Sequence, residues 1–76
     1  MTLWEAPAKL VALIAQIDAS ISPLVAGRLR EMGIDAGQSV LCLRRGPFNG
    51  AMVVQVGDCI YSLEQKIARQ IFIQAQ

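Results

Sequence analysis

Residues Ser22 to Gly50, SPLVAGRLREMGIDAGQSVLCLRRGPFNG, read as one amphipathic helix, a tight turn, an apolar strand and a loop punctuated by glycine and proline. Ser22 before Pro23 is a helix start, because the serine oxygen can accept an orphan backbone N–H and proline at the first helical position loses no useful donor. The pattern predicts a helix from Pro23 to about Met32. Ile21, Val25, Leu29 and Met32 share one stripe at three-to-four spacing, Arg30 and Glu31 turn to water, and Gly33 stands where a left-handed C-terminal cap is wanted. Asp35-Ala36-Gly37 then turns the chain into a strand from Gln38 to Arg45, with Val40 and Cys42 on one face and Leu41 and Leu43 on the other. That strand carries more apolar residues than one buried face needs, and the excess points to a partner.

Working outward, Lys9 to Ile17 reads as a first strand, with Val11, Leu13, Ala15 and Ile17 on one face and Leu10, Ala12, Ile14 and Gln16 on the other; helix is the rival reading, since Ala and Leu favour it. Gly46 to Gly50 is a five-residue connection rich in breakers. It leads into Ala51 to Val56, so strands two and three form a hairpin, and Gly57-Asp58 turns the chain into a short fourth strand from Cys59 to Leu63. Glu64 to Arg69 has room for one helical or 3₁₀ turn, and Gln70 to Gln74 is a last strand with Ile71 and Ile73 inward. The expected fold is mainly β with one main helix between strands one and two. Five short strands left as an open sheet would expose two edges, and curling them into a small barrel removes that liability.

With 76 residues the chain is one domain, read as a lead-in over residues 1–8, whose Trp4 packs on the domain edge, and a barrel over residues 9–76. An apolar fraction of 54% in so small a body leaves apolar side chains at the surface, the mark of an interaction module. The longest apolar run, Leu10 to Ala15, is far short of the roughly 18 to 20 residues a membrane helix needs, so no direct membrane insertion is expected. Glu5 and Pro7 break any signal-peptide pattern at the start, and the chain reads as mature and cytoplasmic. A net charge of +1 and one adjacent basic pair, Arg44 and Arg45, make a weak nucleic-acid footprint, so no nucleic-acid partner is expected.

The chain has no histidine, and its six acidic residues are scattered rather than paired, which removes the usual acid/base and zinc chemistries; it is read as a non-enzyme. Cys42 and Cys59 lie on predicted strands and could meet, but buried free thiols are the simpler reading. Without a C-x-x-C pattern or a histidine they make a poor iron site, so neither a metal site nor a cofactor is assigned. No phosphate-cradling glycine motif occurs, so any nucleotide link runs through another protein.

The succession of a short strand, a helix ending RLREMGI, the turn DAG, an apolar strand, LRRGPFNG and a closing LEQKIARQIFI resembles the FeoA family of bacterial ferrous-iron uptake, from about Lys9 to Ile73. Arg28, Leu29, Glu31, Met32, Gly33, Ile34, Gly37 and Val40 stand in the places of that family's R-L-x-E-[LM]-G-[LFI]-x-x-G-x-x-V pattern, and Pro47 and Phe48 match its loop. The chain departs from the family in having Asn49-Gly50-Ala51 where Gly-Asp-Pro is frequent, and Glu64 where arginine is frequent.

The resemblance implies an SH3-like β-barrel that accompanies the membrane ferrous-iron transporter FeoB, whose cytosolic part includes a GTP-binding domain, without being the pore or the GTPase. The same barrel resembles the C-terminal domain of iron- and manganese-dependent repressors. A metal-sensing or nucleic-acid-regulating module is therefore the alternative reading. The residues expected to meet a partner are Arg28, Leu41, Leu43, Arg44, Arg45, Pro47 and Phe48, an apolar patch rimmed by positive charge. Burial of both leucines under the helix is the competing reading, and Arg28 has a local alternative in Glu31, three residues on. Ser22, Leu29, Met32, Gly33 and Gly37 are expected to be structural. The same patch would also support weak self-association.

Overall fold

A computed structural model describes residues 1–45 and 50–76. In chain order it has an N-terminal 3₁₀ turn (Leu3–Glu5), β1 (Val11–Ile17), α1 (Pro23–Glu31), β2 (Ser39–Arg45), β3 (Met52–Val56), β4 (Cys59–Leu63), α2 (Gln65–Ala68) and β5 (Ile71–Ala75). The five strands form one antiparallel ladder in the order β4-β3-β2-β1-β5.

Strand β1 begins at Val11 and not at Lys9, because Lys9 takes a left-handed φ of 71° that a strand cannot continue through. Its two faces are both apolar, and the structure selects Ala12 and Ile14 for the core while Val11 and Leu13 face out. Ala12 lies opposite Val40 of β2, and Ile14 opposite Ile73 of β5, so each buried position meets another.

Helix α1 sits where its stripe predicts. Leu29 is buried, and Ile21, Val25 and Met32 pack half-buried against the core. Ser22 occupies the N-cap position, but its side chain makes no capping hydrogen bond; its carbonyl accepts from the Ala26 N–H at 2.9 Å instead. At the other end Gly33 has φ 85°, its N–H donates to the Arg30 carbonyl at 3.0 Å, and the Ile34 N–H donates to the Leu29 carbonyl at 2.8 Å. This is a Schellman closure, and Leu29 and Ile34, the two positions whose side chains usually pack together in it, are both buried.

Gly37, at φ 87°, completes the turn in which the Gln38 N–H donates to the Asp35 carbonyl at 3.1 Å. The Gly37 N–H also donates to the Ile14 carbonyl at 2.8 Å, which fixes where β2 starts beside β1.

The N-terminal segment contributes three residues to the same core. Leu3, Trp4 and Ala6 are buried, Thr2 bridges to Phe72, and the Ile73 N–H donates to the Met1 carbonyl at 2.8 Å. The 3₁₀ turn is held by Glu5, whose carboxylate accepts from the Thr2 N–H at 2.7 Å and from the Thr2 hydroxyl at 3.1 Å. Trp4 therefore fills the interior and does not rest on the edge of an independent barrel; the segment lacks periodicity because it packs by two or three residues only. Among the described residues no ladder joins β4 to β5, and α2 carries the chain across that gap.

Candidate partner-docking surface

The outer face of the sheet is built by register. Val11 pairs with Leu41, Leu41 with Gln55, and Gln55 with Ile60, so one row crosses β1, β2, β3 and β4. Cross-strand neighbours on one face are close enough for their side chains to touch, so the row is a continuous strip. Its two ends are bare: Val11 is 43% and Ile60 is 63% exposed. Leu41 in the middle is half-buried, as is Leu43. Leu13, the next outward position along β1, is exposed beside Ser39 and Gln74. The alternation that sends these residues out sends Val40, Cys42 and Val54 in, where each is at most 1% exposed.

Beyond Leu41 the alternation is broken by a bulge. Cys42 faces Val54 and Arg44 faces Val53, so Leu43 is the extra residue on β2. The bulge sets Arg44, and not Leu43, opposite Val53. With it Arg44 is exposed at the mouth of a hollow of about 310 Å³ between Glu5, Pro7, Ala8, Cys42 and Met52. The arginine thus stands against the N-terminal segment as well as beside the leucines.

Arg45 ends β2 opposite Met52, and Pro47 and Phe48 lie outside the described residues. Arg28 is exposed on α1 and makes no ion pair with Glu31, or with any other described residue. The structure therefore brings Leu41, Leu43 and Arg44 together on β2 and leaves Arg28 on a separate element. It adds Val11, Leu13 and Ile60, which sequence reasoning missed. For Val11 and Leu13 the signal was present as an unused second apolar face of β1.

A second hollow of about 440 Å³ lies between the start of α1 and α2, lined by Ile21, Ser22, Val25, Glu64 and Ile67 among others. It takes in none of the residues expected to meet a partner.

The two thiols do not meet. Cys42 lies on β2 and Cys59 on β4 with β3 between them, a separation of about 9–10 Å for strands two apart, beyond disulfide reach. Cys42 is buried, and desolvation pushes its thiol pKa up, so it stays protonated and inert. Among the described residues no group of three or more Cys, Asp or Glu side chains is placed to hold a metal ion. Among the described residues no helix is long and apolar enough to cross a membrane.

A family model described as the FeoA domain matches residues 1–75. The chain belongs to the FeoA family. FeoA proteins are non-catalytic accessory proteins associated with ferrous-iron transport. The match includes the N-terminal eight residues, in keeping with the burial of Leu3 and Trp4.

Solved FeoA structures share the fold. The iron(II) transport protein A of Clostridium thermocellum superposes with a TM-score of 0.90 at 20% identity over 99% of this chain and 45% of its own. FeoA of Stenotrophomonas maltophilia, solved with zinc and described as an SH3 domain protein and a candidate ferrous iron transport activating factor, matches at 0.82 with 30% identity, over 97% of this chain and 89% of its own. The manganese regulator SloR matches at 0.84 and 17% identity, with this FeoA domain spanning 34% of its length. That last likeness is one of fold. The chain spans under half of the Clostridium protein, and none of the curated proteins matches it.

Proposed function

We propose that this FeoA protein docks on the cytosolic GTP-binding region of the membrane transporter FeoB, in the cytoplasm, and regulates or assembles it. The observation that carries the reading is the outward row in which exposed Val11 and Ile60 flank half-buried Leu41 and Gln55, with Leu43 and Arg44 beside it. A body this small, with its core filled, has no internal use for that row. An apolar centre with a cation at its rim has the composition of a protein-binding patch. On this reading the influence on the transporter comes through contact.

Co-purification tests this reading: the tagged cytosolic region of the transporter is used to capture wild-type protein and the Leu41→Asp, Leu43→Asp and Phe48→Ala variants. Strong loss for Leu41→Asp supports the outer face, because a carboxylate there must be desolvated on docking. Equal capture of all four discards the surface, and no capture of any discards the partner.

A further inference from the structure

The two outer strands of the ladder have different surroundings. Along β5 the free edge is occupied by the chain's own start, through the Thr2–Phe72 bridge and the Ile73 N–H bond to the Met1 carbonyl. Strand β4, at the other end of the order, pairs only with β3 among the described residues. The loop before it has two residues, Gly57 with φ 59° and Asp58, closed by the Val56–Cys59 pair. A hairpin closed this way points the main-chain groups of Cys59, Tyr61 and Leu63 at β3 and those of Ile60 and Ser62 outward. No described residue hydrogen-bonds to those outward groups.

Exposed edges normally carry a lysine, a proline, a bulge or an inward charge that prevents pairing with another chain. The sequence of β4, CIYSL, has none of these residues, and its register with β3 runs without a shift. Ile60, the barest residue of the outer apolar row, sits at this edge, so a strand laid alongside would extend the row by one position.

The edge is bracketed by two exposed carboxylates, Asp58 at its start and Glu64 just after its end. Pairing with a second copy sets acid against acid in either direction: Asp58 against Glu64 twice if antiparallel, each against itself if parallel. Like charges directly opposite one another oppose strand pairing. We propose that the outward edge of β4 is a strand-addition site for a different protein, taking an extended uncharged segment of about five residues with a basic residue at each end. Main-chain bonds to Ile60 and Ser62 hold the segment, and Asp58 and Glu64 select its flanks. The site adjoins the Leu41 patch at Ile60 but engages main-chain groups of the β4 edge, so its failure would leave the docking reading above standing.

The test uses the full chain, isotope-labelled, and two end-blocked peptides, Lys-Val-Thr-Val-Thr-Val-Lys and the same sequence with Glu at both ends, followed by amide chemical shifts and hydrogen exchange. The expected result is a saturable shift and slowed exchange at the Ile60 and Ser62 amides, with the Lys-flanked peptide binding several-fold more tightly and the preference reversing in the Asp58→Lys/Glu64→Lys double variant. Ser62→Pro, which removes an outward N–H without touching the β3 ladder, abolishes the shift. Shifts located away from β4, or equal binding of both peptides in every variant, overturn the proposal. So does concentration-dependent mass accompanied by β4 shifts without peptide, which would make the occupant a second copy.

Discussion

The Ile34 N–H lies 2.8 Å from the Leu29 carbonyl, and both side chains are buried, so one hydrogen bond ties the end of α1 to the core that the helix covers. The bond exists only because Gly33, between them, turns through a left-handed φ. Helix, turn and strand β2 are therefore positioned together, and with them the outward face of β2.

This arrangement predicts an order for three glycine substitutions in urea unfolding. Gly37→Ala should cost about 1–2 kcal/mol, the penalty of a left-handed backbone for an L-residue, since nothing lies within 4 Å of the added carbon. Gly33→Ala should cost more, because its added carbon also falls 3.2 Å from Cγ1 of Val56. Gly27→Ala, in mid-helix with open space around it, should instead stabilise by about 0.5–1 kcal/mol. Equal effects at all three sites would contradict the cap geometry.

Thiol labelling separates the two cysteines. Iodoacetamide should modify Cys59, which is exposed, in the native protein, and Cys42 only after unfolding, because burial both shields its thiol and keeps it protonated. Intact-mass analysis reads this as one adduct in buffer and two in denaturant. Two adducts on the folded chain would mean that the β2 core opens readily.

Acid should loosen the N-terminal turn. Glu5 has its carboxyl pKa lowered, chiefly by the hydrogen bond from the Thr2 N–H, then by the Thr2 hydroxyl, and Asp18 is lowered by the Ser20 N–H. A carboxylate with a depressed folded-state pKa contributes stability above its unfolded pKa and loses it as pH falls through the folded value. The urea midpoint should therefore begin to drop below about pH 4.5, and Glu5→Gln should remove part of that slope. An unchanged slope in the variant would show that the turn contributes nothing.

How much of this was legible in the sequence depends on whether a residue's burial was decided locally. Helix α1 was, because Ser22-Pro23 and Gly33 mark its ends and one stripe holds Leu29 and Met32. The hairpin at Gly57-Asp58 was too. The inward face of β1 was not, since Val11 and Leu13 are as apolar as Ala12 and Ile14, and only pairing with Val40 and Ile73 decides between them. Leu3 and Trp4 were missed as core because their burial comes from packing beside β5, some seventy residues away. On the candidate surface the outward setting of Leu41 and Leu43 was read from alternation, whereas the bulge that re-phases Arg44 and the alignment of Ile60 with Leu41 come from strand register.

The central claim is that the outer sheet face is what the transporter touches. It is tested most directly by adding the unlabelled cytosolic GTP-binding region of FeoB to the isotope-labelled chain and mapping which methyl signals move. The account predicts shifts and broadening confined to Val11, Leu13, Leu41, Leu43 and Ile60, with Ile21, Val25 and Ile67 unmoved. Perturbation of the α1–α2 side, with the Leu41 and Ile60 methyls unchanged at saturation, would contradict it.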